Sequence, residues 1–261
     1  LNHHDSFVDK FVILESRYTY SGIKKPLYYD DIKNKEPFKK FKDKIIHLIH
    51  TTPPGDNINW EYETEQRNML LTLMPIFTDD DLIIYTDCDE LIRNKAVIEE
   101  ANSYDKIIHL DMTLNWYYLN CIITPGSQYQ DDYSMEECFK GRWHMGKIVR
   151  KRHLQWFSKN LYAIRQYHIG SPTSVYTIKD AGWHFSNLGA VDKIFDKLNS
   201  FSHSTELNEK YSITTELIAS RKKYLMDPLG RSVLFMRTEL DVPSYVIQNL
   251  DKYKDLICPT K

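Results

Sequence analysis

The chain has 261 residues, 42% of them hydrophobic, enough for one large domain or two small ones around a sizeable core. With 34 Lys and Arg against 36 Asp and Glu and a formal net charge of -2, it lacks the overall basic character that nucleic acid or an anionic membrane would demand of a main partner. The four cysteines, Cys88, Cys121, Cys138 and Cys258, are too scattered for a zinc pattern or a dense disulfide framework.

In chain order, the first strand ends the stretch from Phe7 to Ser16, and KIIHLIH (Lys44 to His50) makes a second. Both runs are short, dense and apolar, which predicts strands of a parallel sheet. From Trp60 to Phe77 the period becomes helical: Tyr62, Met69, Leu70, Leu73 and Phe77 form an apolar stripe, ended by Pro75 and the acids after Thr78. A strand over Leu82 to Thr86 follows directly. A helix is predicted from Asn94 to Ser103, a strand from Lys106 to Leu110, and an aromatic strand run from Trp116 to Ile123. The uncharged run Met112 to Gln130 is too polar to span a membrane. Thr124 to Gly146 has no clean period and reads as irregular, Lys147 to Arg152 as a short basic strand or turn, and Leu161 to Ile164 as the start of another strand. After Ser174 to Ile178, helical spacing appears at Val191, Ile194, Phe195 and Leu198. Two further helices, Ile213 to Tyr224 and Ser244 to Tyr253, flank a short strand at Ser232 to Met236. No linker divides the chain, so one domain over 1–261 is expected, with a mainly helical elaboration over 190–261.

DDDLIIYTDCDELIR, from Asp79 to Arg93, is the stretch with the clearest chemistry. Its strand delivers Asp87 and Asp89 at the carboxyl end, where ligands sit in open α/β sheets. In an extended chain these two carboxylates project to one side, and two hard oxygen donors suit Mg²⁺ or Mn²⁺ with positions left for substrate phosphates. The same pattern also describes a solvated acidic turn. Glu90 is placed to orient Arg93 or to accept a sugar hydroxyl. His184, in a Gly-Trp-His-Phe context, is a further candidate ligand, better suited to Mn²⁺ than to Mg²⁺. Either Asp180 or Glu206 could serve as general base. The basic residues Lys147, Arg150, Lys151, Arg152 and His153, and separately Arg17, Lys24 and Lys25, are candidate phosphate contacts or plain solvated surface. A Walker loop, a dinucleotide Gly fingerprint, H-E-x-x-H and G-x-S-x-G are all missing from the sequence.

Taken together in order, VDKFVILESRYTYSGIKKPLYY, KIIHLIH, WEYETEQRN, DLIIYTDCDELI and AGWHFSNLG, followed by KLNSFSH and Glu206, resemble glycosyltransferase family 17, typified by the enzymes that add bisecting GlcNAc to N-glycans. The resemblance implies an α/β fold of GT-A type with a mostly parallel central sheet and flanking helices. It implies a UDP-sugar donor, UDP-GlcNAc, with Asp87 and Asp89 holding Mn²⁺ or Mg²⁺ against its diphosphate, a mannose-like acceptor or other glycoconjugate, and a β linkage formed with inversion. Glu15, Thr19 and Lys25, with Glu65, Gln66 and Arg67, correspond to the pocket around nucleotide and sugar; Arg67 is assigned to a phosphate or to a structural ion pair, Glu15 equally to capping or to fixing its loop through Lys25. Family relatives carry a strand and turn ahead of the point matching Leu1, and the animal enzymes carry a Golgi anchor. The Lys, Asn, Ile and Tyr content suggests an AT-rich bacterial or viral source. Transfer of galactose or glucose on the same fold, or carbohydrate binding without turnover, are the competing readings.

Overall fold

The structure is a computed structural model that describes residues 1–55, 60–124, 141–157, 160–167, 175–200, 204–229 and 233–259, with Trp60 and residues 204–207 described by backbone alone. Strands β1 (Phe11–Ser16) and β2 (Ile45–His50) pair in parallel, in register from Phe11 opposite Ile45 to Ser16 opposite His50. A parallel pair needs a crossover, and the intervening chain supplies one containing the short helix α1 (Tyr28–Ile32). These two strands form a sheet of their own.

The larger sheet has eight strands: β3 (Leu82–Tyr85), β4 (Glu90–Ile92), β5 (Ile107–Trp116), β6 (Cys121–Ile123), β7 (Arg142–Trp143), β8 (Lys147–Arg150), β9 (Val175–Ser186) and β10 (Phe235–Arg237). Every pairing in it is antiparallel except that of β5 with β9. The expected GT-A arrangement with a mostly parallel central sheet is therefore corrected: the dominant sheet is antiparallel. A dense apolar run reports burial on both faces, which β5 has whatever the direction of its neighbours. Its ten residues serve β8, β7 and β6 in succession along one edge and β9 along the whole of the other. Ile108, Leu110 and Met112 from β5 pack with Ile148 of β8, Ile178 of β9 and Ile92 of β4, the strand beyond β9, as one core.

Helix α2 (Trp60–Asn68) is shorter than its apolar stripe, because the chain tightens into a 3₁₀ segment, Met69–Ile76, around Pro75. Helix α3 (Lys95–Asn102) starts where expected: the Asn94 side chain accepts from the Ala96 N–H at 3.0 Å. Leu161 to Ile164 is not a strand but lies in helix α4 (Leu161–Gln166), capped by Asn160. Trp116 to Ile123 is broken by a turn with Tyr117 at φ 64, so β5 runs to Trp116 and β6 begins at Cys121.

The later helices are α5 (Val191–Ser200), α6 (Ser204–Tyr211), α7 (Thr215–Lys223), α8 (Ser244–Ile247) and α9 (Leu250–Tyr253). Ile194 and Leu198 of α5 and Ile218 of α7 bury against Leu114, Cys121, Ile123 and Phe235, making a second core at the far end of β5. That spacing turns Lys193 and Lys197 of α5 away from the core. Among the described residues no helix is long and apolar enough to cross a membrane. Ser232 and most of Thr124 to Gly146, including Cys138, lie outside the described residues.

Candidate active site

A cavity of about 2470 Å³ is lined by the start of the chain, β1, α2, β3, the loop from Asp87 to Glu90, α4, the end of β9 and α5. The loop is the centre of its polar wall. It does not stay extended: the Glu90 N–H donates to the Asp87 carbonyl at 3.0 Å, closing a turn. The two aspartates consequently find different partners.

Asp87 Oδ1 accepts from Arg67 Nη1 at 2.9 Å, and its Oδ2 lies 2.8 Å from Arg165 Nη2. Loss of solvent in the cleft pushes the Asp87 carboxyl up, but Arg165 and Arg67 outweigh it and leave it below its ordinary value. Asp89 Oδ2 accepts from Lys197 Nζ at 2.9 Å and lies 3.5 Å from His184 Nε2. There too desolvation opposes ionisation and loses, and His184 and Lys197 hold the carboxyl well below the usual range. Both groups of the D-x-D are thus carboxylates, one clasped by guanidiniums and one held by a half-exposed ammonium.

Glu90 is buried beneath them. It accepts from the Trp143 indole N–H at 2.7 Å, from Arg165 at 3.2 Å and from the Asp87 backbone N–H at 3.1 Å, so it fixes the turn rather than reaching toward Arg93. Arg93 instead forms a fork to Asp241, 2.9 Å on each oxygen, and donates to the Asp180 carbonyl. Arg67 donates through Nε and Nη2 to Glu63, four residues earlier on α2, as well as to Asp87. Burial works against its charge, but Asp87 and the neighbouring Tyr85, Tyr20 and Glu63 raise its pKa further above the ordinary arginine value.

His184 reaches the loop through sheet register. β4 and β9 pair with Glu90 opposite His184 and Ile92 opposite Gly182, which brings residues distant in sequence into adjacent rows. Gly182 has φ 157, and a Cβ there would lie 1.9 Å from the Leu91 carbonyl, so the close approach of β4 needs glycine. The His184 ring lies 4.1 Å from that of Trp143, and its buried Nδ1 has no hydrogen-bond partner.

The other sequence candidates fall elsewhere. Glu15 accepts from the Tyr29 and Asp30 backbone N–H groups and faces His47 Nε2 at 2.9 Å, which makes it the cap of α1. Thr19 closes its own turn with Ser21 and Ile23. Lys25 sits over the Tyr28 ring, 5.5 Å from its centroid, and burial lowers its pKa. Glu65 faces His50 Nε2 at 3.1 Å, while Gln66 on the cleft wall has a buried, unpartnered Nε2. Asp180, at φ 48, pairs with Arg142 at 3.1 Å outside the cleft lining. Glu206 belongs to α6, and its side chain is outside the described residues. The basic cluster is occupied by acids: Lys151 with Asp79, Arg152 with Asp80 and Asp105, His153 with Asp105; Lys147 is buried and donates to the Met145 carbonyl.

Arg165, Lys197, Glu63 and Trp143 are the site residues that sequence reasoning missed. The Glu63 and Arg67 pair at i, i+4 was visible in the ETEQRN helix. Arg165 carried no such signal, since LYAIRQ gives only Leu161 and Ile164 as a one-turn apolar face.

Residues 1–129 match the model of glycosyltransferase family 17. The family 17 segment covers β1, β2, α2 and the whole D-x-D loop, while His184, Arg165 and Lys197 lie beyond it. No curated protein and no solved structure matches the chain. The match supports sugar transfer as the general activity of the chain. Among the described residues, no three or more His, Cys, Asp and Glu side chains already form a metal cage. Asp89 and His184 are two side chains of metal-ligand type that come together there, with the Lys197 ammonium now paired to Asp89.

Proposed function

We propose that the chain is a metal-dependent, inverting glycosyltransferase that moves GlcNAc from UDP-GlcNAc to a hydroxyl of a mannose-like sugar with formation of a β linkage. The observation that carries this reading is the position of the family 17 D-x-D: two ionised carboxylates on the polar wall of a cleft large enough for a nucleotide sugar and its acceptor. Asp89 with His184 would hold Mn²⁺ or Mg²⁺, displacing Lys197. The ion, when bound, draws off the negative charge that grows on the departing diphosphate.

The protein's own groups divide the remaining work. Asp87, locked between Arg67 and Arg165, positions the loop rather than exchanging ligands. Lys197, released from Asp89, is placed to neutralise a phosphate oxygen. Of the two candidate bases we assign Glu206, because Asp180 is tied to Arg142. The base takes the acceptor proton as the hydroxyl oxygen attacks the anomeric carbon from the face opposite UDP.

The test is thermal unfolding with UDP and Mn²⁺. At a hundredfold excess over Kd, ligand binding contributes about 2.7 kcal/mol and the Tm should rise by several degrees. Asp89→Asn should remove the rise, measured against its own unliganded Tm. A wild-type protein with no UDP-dependent rise would refute the reading. A donor and acceptor screen read by mass spectrometry identifies the sugar transferred, with galactose and glucose donors as the comparison.

A further inference from the structure

A second, smaller cavity of about 370 Å³ opens beside the D-x-D loop. Its floor is apolar, made by Leu91, Phe185, Leu188 and Ile194. Its polar groups are few. Asn187 is 6% exposed, and its side-chain carbonyl oxygen is buried without a hydrogen-bond donor. Lys193 and Lys197, one turn apart on α5, add ammonium groups at the rim. Asn187 is held there by backbone geometry, at φ 50 in the turn that leaves β9, a conformation asparagine tolerates.

Size excludes a whole nucleotide sugar from this space but admits one six-membered sugar ring. The chemistry fits such a ring as well. A pyranose offers a C–H face to an apolar floor and hydroxyl donors to an orphaned acceptor, and a buried carbonyl left without a donor is costly enough to call for one. The position is informative too: Cys88, Asp89, Asn187 and Lys197 line both cavities, so a sugar in the small one would lie next to whatever the large one presents at Asp89.

We propose that the cavity between the D-x-D loop and α5 binds the terminal pyranose of the acceptor, with Asn187 Oδ1 accepting from one of its hydroxyls and the Leu91, Phe185, Leu188 and Ile194 floor packing its C–H face. The role of acceptor rests on the sugar-transfer reading above; the binding of a sugar ring does not. Leu188→Trp fills the cavity from a half-buried position, and Asn187→Gly removes the carbonyl while keeping the left-handed backbone.

The experiment uses the full chain and the methyl glycosides of mannose, galactose, glucose and N-acetylglucosamine, followed by saturation-transfer NMR and titration, with the UDP and Mn²⁺ melting shift measured on the same samples. At least one glycoside should bind the wild type, and both variants should weaken it tenfold or more while the UDP-dependent Tm rise persists. Absence of glycoside binding to the wild type, or binding that neither variant weakens, overturns the proposal. So does a Leu188→Trp protein that loses UDP-GlcNAc but keeps the methyl glycosides, because the cavity would then hold the donor sugar. If Leu188→Trp fails to fold, Asn187→Gly decides. A wild type that binds a glycoside with no response to UDP defeats the transferase reading and leaves the sugar site standing.

Discussion

Replacing Arg165 by Met tests the most concentrated piece of electrostatics in the molecule. Its guanidinium is 2.8 Å from Asp87 and 3.2 Å from Glu90, with side-chain exposures of 7% for Arg165 and 0% for Glu90. Burial penalises the arginine's charge, but Glu90 and Asp87 more than offset that and raise its pKa. Methionine fills similar apolar volume, so the loss comes chiefly from stranding the Glu90 carboxylate, which keeps only the Trp143 and Asp87 N–H donors. Removing one partner of a buried pair costs about 3–5 kcal/mol. For a domain of this size that is a fall in Tm of roughly 6–20 °C. Urea and thermal denaturation at neutral pH measure it. Glu90→Gln in the Arg165→Met background should recover a large part of the deficit, because the stranded charge is gone. An Arg165→Met protein within about 0.5 kcal/mol of wild type would show that this network does not hold the loop.

Gly182→Ala drives a Cβ into the Leu91 carbonyl 1.9 Å away, and should cost ~4 kcal/mol or more in urea denaturation, separating β4 from β9. Asn94→Ala removes the cap of α3 and should cost about 1 kcal/mol. His4 gives a pH dependence: desolvation and then His3 push its imidazole from 6.5 down to about 4, against an opposing hydrogen bond to the Ile92 backbone. The unfolded chain therefore takes the proton first as pH falls. Stability should be full above about 6.5 and decline by up to about 3 kcal/mol toward pH 4, and His4→Gln should flatten that part of the profile.

Elements whose signal is local were legible in the sequence. The apolar runs of β1, β2 and β3 and the Asn-capped helix α3 appear within a residue or two of expectation, as does the start of α5. Strand direction came out as expected for β1 and β2, which pair in parallel, but not in the larger sheet, because Leu82 to Tyr85 looks the same whether its partner is a parallel strand or the antiparallel β8, with Lys147 opposite Tyr85. The same limit governs the site. Asp87, Asp89 and His184 were recognisable as residue types, but the extended geometry assumed for D-C-D-E gives way to a turn because Glu90 is buried and must accept from Trp143 and Arg165. Those partners come from β7 and α4, and residue spacing along the loop carries no trace of them.

The distribution of charge around the turn bears on why this loop would need a cation. Glu63, Asp87 and Glu90 are three carboxylates sharing two guanidiniums, Arg67 and Arg165, while Lys197 does no more than balance Asp89. Counted without His184, the loop and its immediate partners carry four carboxylates against three cations, one negative charge in excess. A diphosphate brought against such a wall is repelled, and at the low effective dielectric of a cleft that repulsion is stronger than in water. Under the proposed function a divalent ion at Asp89 would reverse the sign, and Lys197, once displaced, would add a further positive charge on the same side. Asp87 cannot make this exchange, since both of its oxygens are committed to arginines that also support Glu63 and Glu90. The two aspartates, equivalent in sequence, are thus separated by their partners into one fixed between guanidiniums and one held by a half-exposed ammonium, and it is the second to which the proposed function gives the ion.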